Sequence, residues 1–223
     1  MKYLSIDSSS RRLLLLGVNE DKTMGVTLHN VGRHGTYLAP AVKDLLEYLQ
    51  MSVKELDFIG CGIGPGSLTG LRVGISTVKG LAYPFDIPVI SFCSLDLLAY
   101  NNYLSSAVVM RRGREGYYYW RKYRFEGYKP VPVEEPGFDS VDKLKSGILT
   151  KNEVLIFENE QEKEQFEGYD SLIALPPSPE IMKQIIVKAF EAGETIDVRE
   201  LKPYYLQKSV AELNWERKHG KST

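Results

Sequence analysis

The residues with the clearest chemical potential are seven glycines between positions 60 and 80, in the stretch GCGIGPGSLTGLRVGISTVKG. Glycine-rich turns that lead into a helix can bind phosphate through backbone N–H groups. A P-loop reads G-x-x-x-x-G-K-[ST], and a dinucleotide loop reads G-x-G-x-x-G. After Gly64 and Gly66 the next glycine comes one residue too late for the second pattern, and no Lys-Ser or Lys-Thr completes the first. The stretch therefore predicts at most a weak anion or nucleotide loop at Gly64, Gly66 and Ser67.

Catalytic side chains follow no familiar pattern in this chain. A nucleophile elbow reads G-x-S-x-G, but Ser67 has a proline and a threonine at the two glycine positions. The histidines at 29, 34 and 219 form no H-x-x-x-H pair, and the two cysteines form no C-x-x-C pair. We therefore predict no catalytic residue, no metal and no cofactor.

A basic and aromatic run between residues 110 and 125 suits a different chemistry. Arg111, Arg112 and Arg114 precede a segment in which tyrosines, a tryptophan and a phenylalanine alternate with further basic residues. Arginine beside aromatic rings suits phosphates and stacked bases. The alternative, which we favour, is a hairpin whose aromatic side chains pack on the core while its charges face water.

Two predicted helices have more apolar or small surface than one neighbour requires. In the helix from 37 to 49 the apolar residues fill an arc of about 180°, whereas a surface helix needs about 100°. This helix either lies between two neighbours or meets a partner protein on one side. In the following helix, from about Thr69 to Tyr83, Gly70, Gly74 and Thr77 share one face. Each interior glycine costs roughly 1 kcal/mol against alanine, so we expect another helix to approach this face closely.

The elements that carry these residues indicate an α/β protein. The first 102 residues predict the order β-β-β-α-β-α-β-α, and the second half again begins with three strands. Thr36 is expected to cap the first helix, with Pro40 in its first turn. Ser178, Pro179 and Gly193 mark the ends of a late helix, and Pro130 and Pro132 confine their strand to a sheet edge. A length of 223 residues suits one large domain or two lobes. The 28 basic and 29 acidic residues nearly cancel, which gives no global attraction to nucleic acid or membrane. The sequence shows neither a signal peptide nor a run of about 20 apolar residues, so we expect a cytoplasmic protein with no membrane contact.

Several motifs together resemble one family. The opening SIDSSS, the helix GRHGTYLAPAVKDLL, the segment GIGPGSLTGLRVGISTVKGLA and the later YYYWRKY and KPYYLQKSVA are similar to segments of the TsaB (YeaZ) family. The resemblance implies an actin/Hsp70-like (ASKHA) fold of two lobes, each a mixed β-sheet flanked by helices. It implies an N-terminal lobe at 1–102 that carries the partner-binding helices. Residues 103–223 would form a degenerate C-terminal lobe with a C-terminal tail.

The resemblance also implies a function and a set of partners. The family supports the transferase TsaD, which installs threonylcarbamoyl on adenosine 37 of tRNA, and TsaE, an ATPase, completes the machinery. The N-lobe helices would bind a TsaD-like transferase, or a second copy of the chain through the same surface. The tRNA would be met only within the assembly, with Arg111, Arg112 and Arg114 as contacts. The implied interface consists of Leu38, Val42, Leu45, Leu46, Leu49, Gly70, Arg72, Val73, Gly74, Thr77 and Gly80.

Active proteins of this fold hold a magnesium nucleotide between the lobes with acidic residues and glycine pairs. This chain contains no Gly-Gly pair, and the histidine pair that holds the TsaD metal has no match here. We therefore expect a non-catalytic scaffold or activator. The alternative is a stand-alone nucleotide-dependent ATPase or transferase, or a glycoprotease-like enzyme of the same fold.

Overall fold

A computed structural model describes residues 1–100, 102, 104–207 and 215 of the chain. Most of the predicted C-terminal tail, beyond residue 207, lies outside this described part. Within it the strands are β1 Lys2–Asp7, β2 Leu13–Asn19, β3 Lys22–Leu28, β4 Phe58–Gly62, β5 Val89–Phe92, β6 Ser106–Arg112, β7 Tyr117–Glu126, β8 Lys129–Pro132, β9 Gly137–Ser140, β10 Val154–Phe157 and β11 Ser171–Ile173. The helices are α1 His34–Tyr48, α2 Leu68–Ala82, α3 Asp96–Ala99, α4 Val141–Lys143, α5 Glu160–Lys163 and α6 Pro179–Glu191.

The strands form two sheets. The first has the order β3-β2-β1-β4-β5, in which β1, β2 and β3 are antiparallel neighbours and β1, β4 and β5 run parallel. The second has the order β11-β10-β6-β7-β8, and β9 pairs with β7 beside β8. The predicted order of the first 102 residues is confirmed element by element. Strand β8 contains two prolines, which predict an edge position. Among the described strands it pairs only with β7, as this prediction requires.

Both faces of the first sheet are covered, which explains its nearly continuous apolar strands. Alternate residues of a strand point to opposite faces. Leu4 and Ile6 of β1 therefore join the core under α1 and α2, while Tyr3 joins the core under α6. The Leu13–Leu16 run of β2 divides in the same way between the two cores. A strand buried on both faces needs no polar alternation.

Helix α6 belongs by sequence to the second half but packs on the first sheet. Its buried Ile181, Met182 and Ile186 lie in the core with Tyr3. Phe190 stacks on Phe58 with ring centres 4.5 Å apart. The predicted caps are present, since the Ser178 hydroxyl accepts from the Ile181 N–H and Gly193 follows the helix with a positive φ of 74°. The first sheet contains strands β1 to β5 and the second β6 to β11, but this late helix packs on the first sheet. The boundary between the lobes at residue 102 stays a prediction.

The start of α1 differs from the expectation that Thr36 caps this helix. The helix begins at His34, two residues before Thr36, and Arg33 at the cap position provides no side-chain hydrogen bond. Pro40 consequently lies inside the helix rather than in its first turn. The His34 ring is buried and its Nε2 lies 2.8 Å from the Ser10 carbonyl oxygen, so a tertiary contact fixes this end of the helix. Within the described residues, no helix has the length and apolar character needed to cross a bilayer.

Candidate functional site

Helices α1 and α2 lie side by side on one face of the first sheet and present their outer sides to solvent. Their inner sides share one core with strands β1, β2 and β4. On α2 the exposed residues recur at every third or fourth position, as one helical stripe requires. This stripe, the outer face of α2, consists of Thr69, Arg72, Ser76 and Gly80.

The predicted interface leucines are not available to a partner. Leu45 and Leu49 have no exposed surface, and both pack against Gly17 of β2. Leu38, Val42 and Leu46 are buried in the same core. The wide apolar arc of α1 is therefore explained by packing on the sheet and on α2. The prediction that these five side chains form an interaction surface is wrong for this structure.

The glycines of α2 serve two different purposes. A Cβ atom at Gly70 would overlap the carbonyl oxygen of Ser8, and one at Gly74 would overlap the Ser8 hydroxyl. These two glycines therefore make room for the end of β1, not for a neighbouring helix. A Cβ at Gly80 would meet no atom within 4 Å. Of the predicted interface residues on α2, only Arg72 and Gly80 are exposed, while Val73 and Thr77 are half-buried.

The predicted anion loop is packed on its own chain. Gly64 has a positive φ of 101° and precedes a cis peptide bond to Pro65. The Gly64 N–H donates to Ser94 Oγ, and the Ser67 N–H donates to the Ser9 carbonyl oxygen at 2.7 Å. Ser67 caps α2, because its hydroxyl accepts from the Gly70 N–H. Several of the donors that a phosphate would use are thus already occupied.

The three arginines predicted to contact tRNA have different surroundings. Arg111 is only 5% exposed, so the prediction of a surface contact is wrong for this residue. Its Nη1 donates to the Ser9 hydroxyl and to the Pro65 carbonyl oxygen, each at 3.0 Å. Arg112 is exposed. Arg114 is half-buried, and its guanidinium lies over the ring of Tyr117, 4.1 Å from the ring centre.

A cavity of about 1010 Å³ lies between the two lobes, lined by loops that follow strands of both sheets. Arg111 forms part of its wall. Ser9 and Arg12 line it from the first lobe, and Glu158 and Glu162 from the second. Arg111 Nε lies 3.2 Å from Glu158 Oε2, within ion-pair distance, although its N–H is not aligned for a hydrogen bond. Burial alone would lower the pKa of Arg111, but the carboxylates of Glu158 and Asp7 raise it. This guanidinium therefore stays charged inside the cleft.

The acidic residue at the end of β1 does not fit a magnesium-nucleotide site. Asp7 is buried, its Oδ1 accepts from the backbone N–H and hydroxyl of Ser9, and its Oδ2 accepts from the Ser94 hydroxyl at 2.6 Å. Mg²⁺ is bound through carboxylate oxygens, and both oxygens of Asp7 already accept hydrogen bonds from the chain itself. Arg111 contributes a positive charge beside Asp7 through Ser9. Within the described residues, no group of three or more His, Cys, Asp or Glu side chains is placed to hold a metal.

Exposed aromatic residues lie on α1 and next to the outer face of α2, and the interface predicted from the sequence does not include them. Tyr37 and Tyr48 on α1 are 52% and 72% exposed, and Tyr83, directly after α2, is 62% exposed. Tyr205 lies beside the outer face of α2, because its hydroxyl accepts from Arg72 Nε at 3.0 Å. The signal was present in the helical spacing. Tyr37 and Tyr48 lie at the margin of the apolar arc, where a side chain can be turned away from the core.

A family model described as "TsaD: tRNA N6-adenosine threonylcarbamoyltransferase" matches residues 23–215, well over half of the chain. The chain is 26% identical to the tRNA threonylcarbamoyladenosine biosynthesis protein TsaB of Escherichia coli strain K12, over 99% of this chain and 100% of that protein. It is 27% identical to the TsaB protein of Bacillus subtilis strain 168, over 96% of this chain and 98% of that protein.

Solved structures share the fold. One, a Pseudomonas aeruginosa protein described as similar to the peptidase YEAZ, matches with a TM-score of 0.80 at 21% identity, over 92% of this chain and 99% of that chain. YeaZ from Pseudomonas aeruginosa matches with a TM-score of 0.77, also at 21% identity and over the same shares. The predicted fold class, an actin/Hsp70-like α/β fold of two lobes with mixed sheets, is confirmed.

Proposed function

The chain belongs to the TsaD family as a TsaB (YeaZ)-like member, and from this premise we propose that it is a non-catalytic subunit of the machinery that makes threonylcarbamoyladenosine in tRNA. In this proposal it binds a TsaD-like transferase through the outer faces of α1 and α2. The machinery would be cytoplasmic and would include a TsaE-like ATPase. A second copy of the chain would compete with the transferase for the same surface.

One observation supports this surface above others. The outer face of α2 combines small residues with two exposed tyrosines beside it, Tyr83 and Tyr205. Tyrosine is enriched at protein interfaces because it supplies a large contact area at a low entropic cost. Ser76 and Gly80 leave room for another helix to approach closely. Of the α2 interface residues proposed from the sequence, Arg72, Val73, Thr77 and Gly80 therefore remain, and Ser76, Tyr83 and Tyr205 are added.

The state of the cleft supports a non-catalytic role. Both carboxylate oxygens of Asp7 accept hydrogen bonds, one from Ser9 and one from Ser94. Arg111 adds a positive charge in the cleft between the lobes, where it donates to Ser9. An enzyme of this fold needs a cleft that can exchange ligands, whereas a scaffold does not. The alternative is an enzyme acting alone, which the size of the cavity favours. Hydrolysis of ATP or of a peptide by the purified chain, lost in Asp7→Asn, would support the alternative.

The experiment that tests the scaffold is a matched pair of arginine substitutions. Ser76→Arg places a long charged side chain on the outer face of α2, and Gln184→Arg places the same side chain at an exposed position of α6, on the other side of the sheet. Binding of the transferase from the same organism should weaken at least about a hundredfold in Ser76→Arg, because a charge at an interface centre is desolvated without a partner. Equal binding by wild type and both variants would contradict the proposal.

Contact with tRNA inside the assembly is a separate part of the proposal. It now rests on Arg112 and Arg114, since Arg111 is buried. Reversing both charges should reduce the affinity of the assembled complex for tRNA, and the slope of affinity against salt should become shallower. An unchanged slope at low salt would remove these two residues from the proposal.

A further inference from the structure

A continuous polar network joins the second lobe to the loop that starts α2. Arg111 on β6 donates to the Ser9 hydroxyl, and this hydroxyl donates to Asp7 Oδ1 at 2.8 Å. Asp7 Oδ2 accepts from Ser94, whose hydroxyl accepts in turn from the Gly64 N–H at 3.1 Å. The residues come from β6, from the ends of β1 and β5, and from the glycine loop. The network therefore connects one strand of the second sheet to three places in the first lobe.

Two further contacts join the second lobe directly to the glycine loop. Arg111 also donates to the Pro65 carbonyl oxygen, one residue after Gly64. Tyr119 on the neighbouring strand β7 donates its hydroxyl to the Gly66 carbonyl oxygen at 3.4 Å. Burial raises the pKa of Tyr119 to about 12, so this donor keeps its proton at neutral pH. The glycine loop is thus held from the second lobe at two successive carbonyl groups.

An ion pair also crosses the cleft, between Arg12 of the first lobe and Glu158 of the second. Arg12 of the first lobe has its Nη1 3.7 Å from Glu158 Oε1, and the other oxygen of Glu158 faces Arg111. One carboxylate of the second lobe thereby lies between two arginines, one from each lobe. Charged groups that are buried together hold a fixed geometry, because separating them leaves an uncompensated buried charge.

We propose that Arg111 is a positioning residue, whose contacts across the cleft fix the loop from Gly64 to Ser67 and hence the direction in which α2 presents its outer face. The loop leads directly into α2, and Ser67 caps that helix. Arginine suits this task because its planar fork can donate to two acceptors at once. The part of this inference that concerns the partner rests on the proposed function, whereas the part that concerns the loop does not.

Hydrogen exchange on the full chain tests the loop directly. Arg111→Met removes the fork, and Ser9→Ala removes only the hydroxyl that links Arg111 to Asp7. Backbone amides of residues 64–71 should exchange at least about tenfold faster in Arg111→Met and roughly threefold faster in Ser9→Ala, because hydrogen bonds to charged groups are among the strongest that hold a local structure closed. Amides of α6, which lies on the other face of the first sheet, should keep their rates.

The matched control is Arg124→Met, which removes an exposed arginine from the neighbouring strand of the same sheet. Exchange in 64–71 should equal that of the wild type in this control. If neither Arg111→Met nor Ser9→Ala accelerates exchange there beyond the control, the inference is wrong. If Arg111→Met does not fold, Ser9→Ala decides alone. Faster exchange in α6 to the same degree would indicate general destabilisation and would also overturn it.

Binding to the transferase provides the second measurement. A loop that has to be ordered on binding costs affinity, so Ser9→Ala should bind the transferase at least about threefold more weakly without touching the proposed interface. Faster exchange with unchanged affinity would overturn the positioning role. If the wild type binds no transferase, the proposed function fails, and the exchange data still decide whether Arg111 fixes the loop.

Discussion

Helix α2 carries small residues on two of its sides, and the two sides meet different surroundings. On the inner side, Gly70 and Gly74 are covered by Ser8 at the end of β1. On the outer side, Ser76 is exposed and nothing lies within 4 Å of the place where a side chain at Gly80 would begin. Both sides read alike in the sequence, as small residues at helical spacing. The inner glycines are required for packing within this chain, while the small residues on the outer side leave a surface open.

The same contrast holds on α1, with large residues in place of small ones. Leu45 is fully buried over Gly17, and Tyr48, less than one turn away, is 72% exposed. An apolar residue of an amphipathic helix belongs to the core only if its direction points to the sheet. Substitutions on the inner sides should therefore change the stability of the isolated chain. Substitutions on the outer sides should change its binding.

The largest effect is expected from Leu45→Ala. Truncating a fully buried leucine leaves a cavity and costs about 2–5 kcal/mol of unfolding free energy, and here the cavity would lie between α1 and Gly17. Urea unfolding of the isolated chain measures this loss. Tyr48→Ala is the matched control on the same helix, and its stability should stay within about 0.5 kcal/mol of the wild type. Similar losses in both variants would mean that the two sides of α1 do not differ as described.

A smaller loss is expected from Gly70→Ala. The added methyl group would overlap the Ser8 carbonyl oxygen, a backbone atom that cannot turn aside. Overpacking of this kind costs about 1–3 kcal/mol, and it outweighs the gain in helix propensity of roughly 1 kcal/mol that alanine brings. The measurement is again the free energy of unfolding. A variant as stable as the wild type would show that β1 moves away at little cost, and the inner side would then be less tightly packed than it is here.

The fold was largely predictable because it depends on local patterns. Runs of apolar residues bounded by turns predicted the five strands of the first sheet, and Ser178, Pro179 and Gly193 predicted the ends of α6. Long-range choices were not predictable in this way. No pattern within α6 tells which sheet it covers, because an apolar face fits either one. The start of α1 was misplaced because a tertiary contact of His34 outweighs the capping preference of Thr36.

The candidate site was predicted less well, and for a physical reason. Sequence spacing tells which residues share a face of a helix, but not whether that face meets the sheet or the solvent. The buried leucines of α1 were therefore assigned to the interface, and the tyrosines beside them were missed. Arg111 was placed among surface contacts because arginine is seldom buried without partners. Its partners, Ser9, Pro65 and Glu158, lie about 50 to 100 residues away in the chain, as the positions themselves show.

The smallest effect, and the one of opposite sign, is expected from Gly80→Ala. Gly80 lies in the last turn of α2 with open space around its α-carbon, so an added methyl group meets no obstacle. Replacing a helical glycine by alanine without strain stabilises a protein by about 0.4–1 kcal/mol. The melting temperature of the isolated chain, measured at low and at high protein concentration, should rise equally in both cases. If the variant melts higher than the wild type at low concentration but lower at high concentration, a second copy packs against Gly80. Only then does the added methyl group meet another chain. The outer side of α2 would in that case be an interface between copies of this chain, closed in the same manner in which Ser8 closes the inner side.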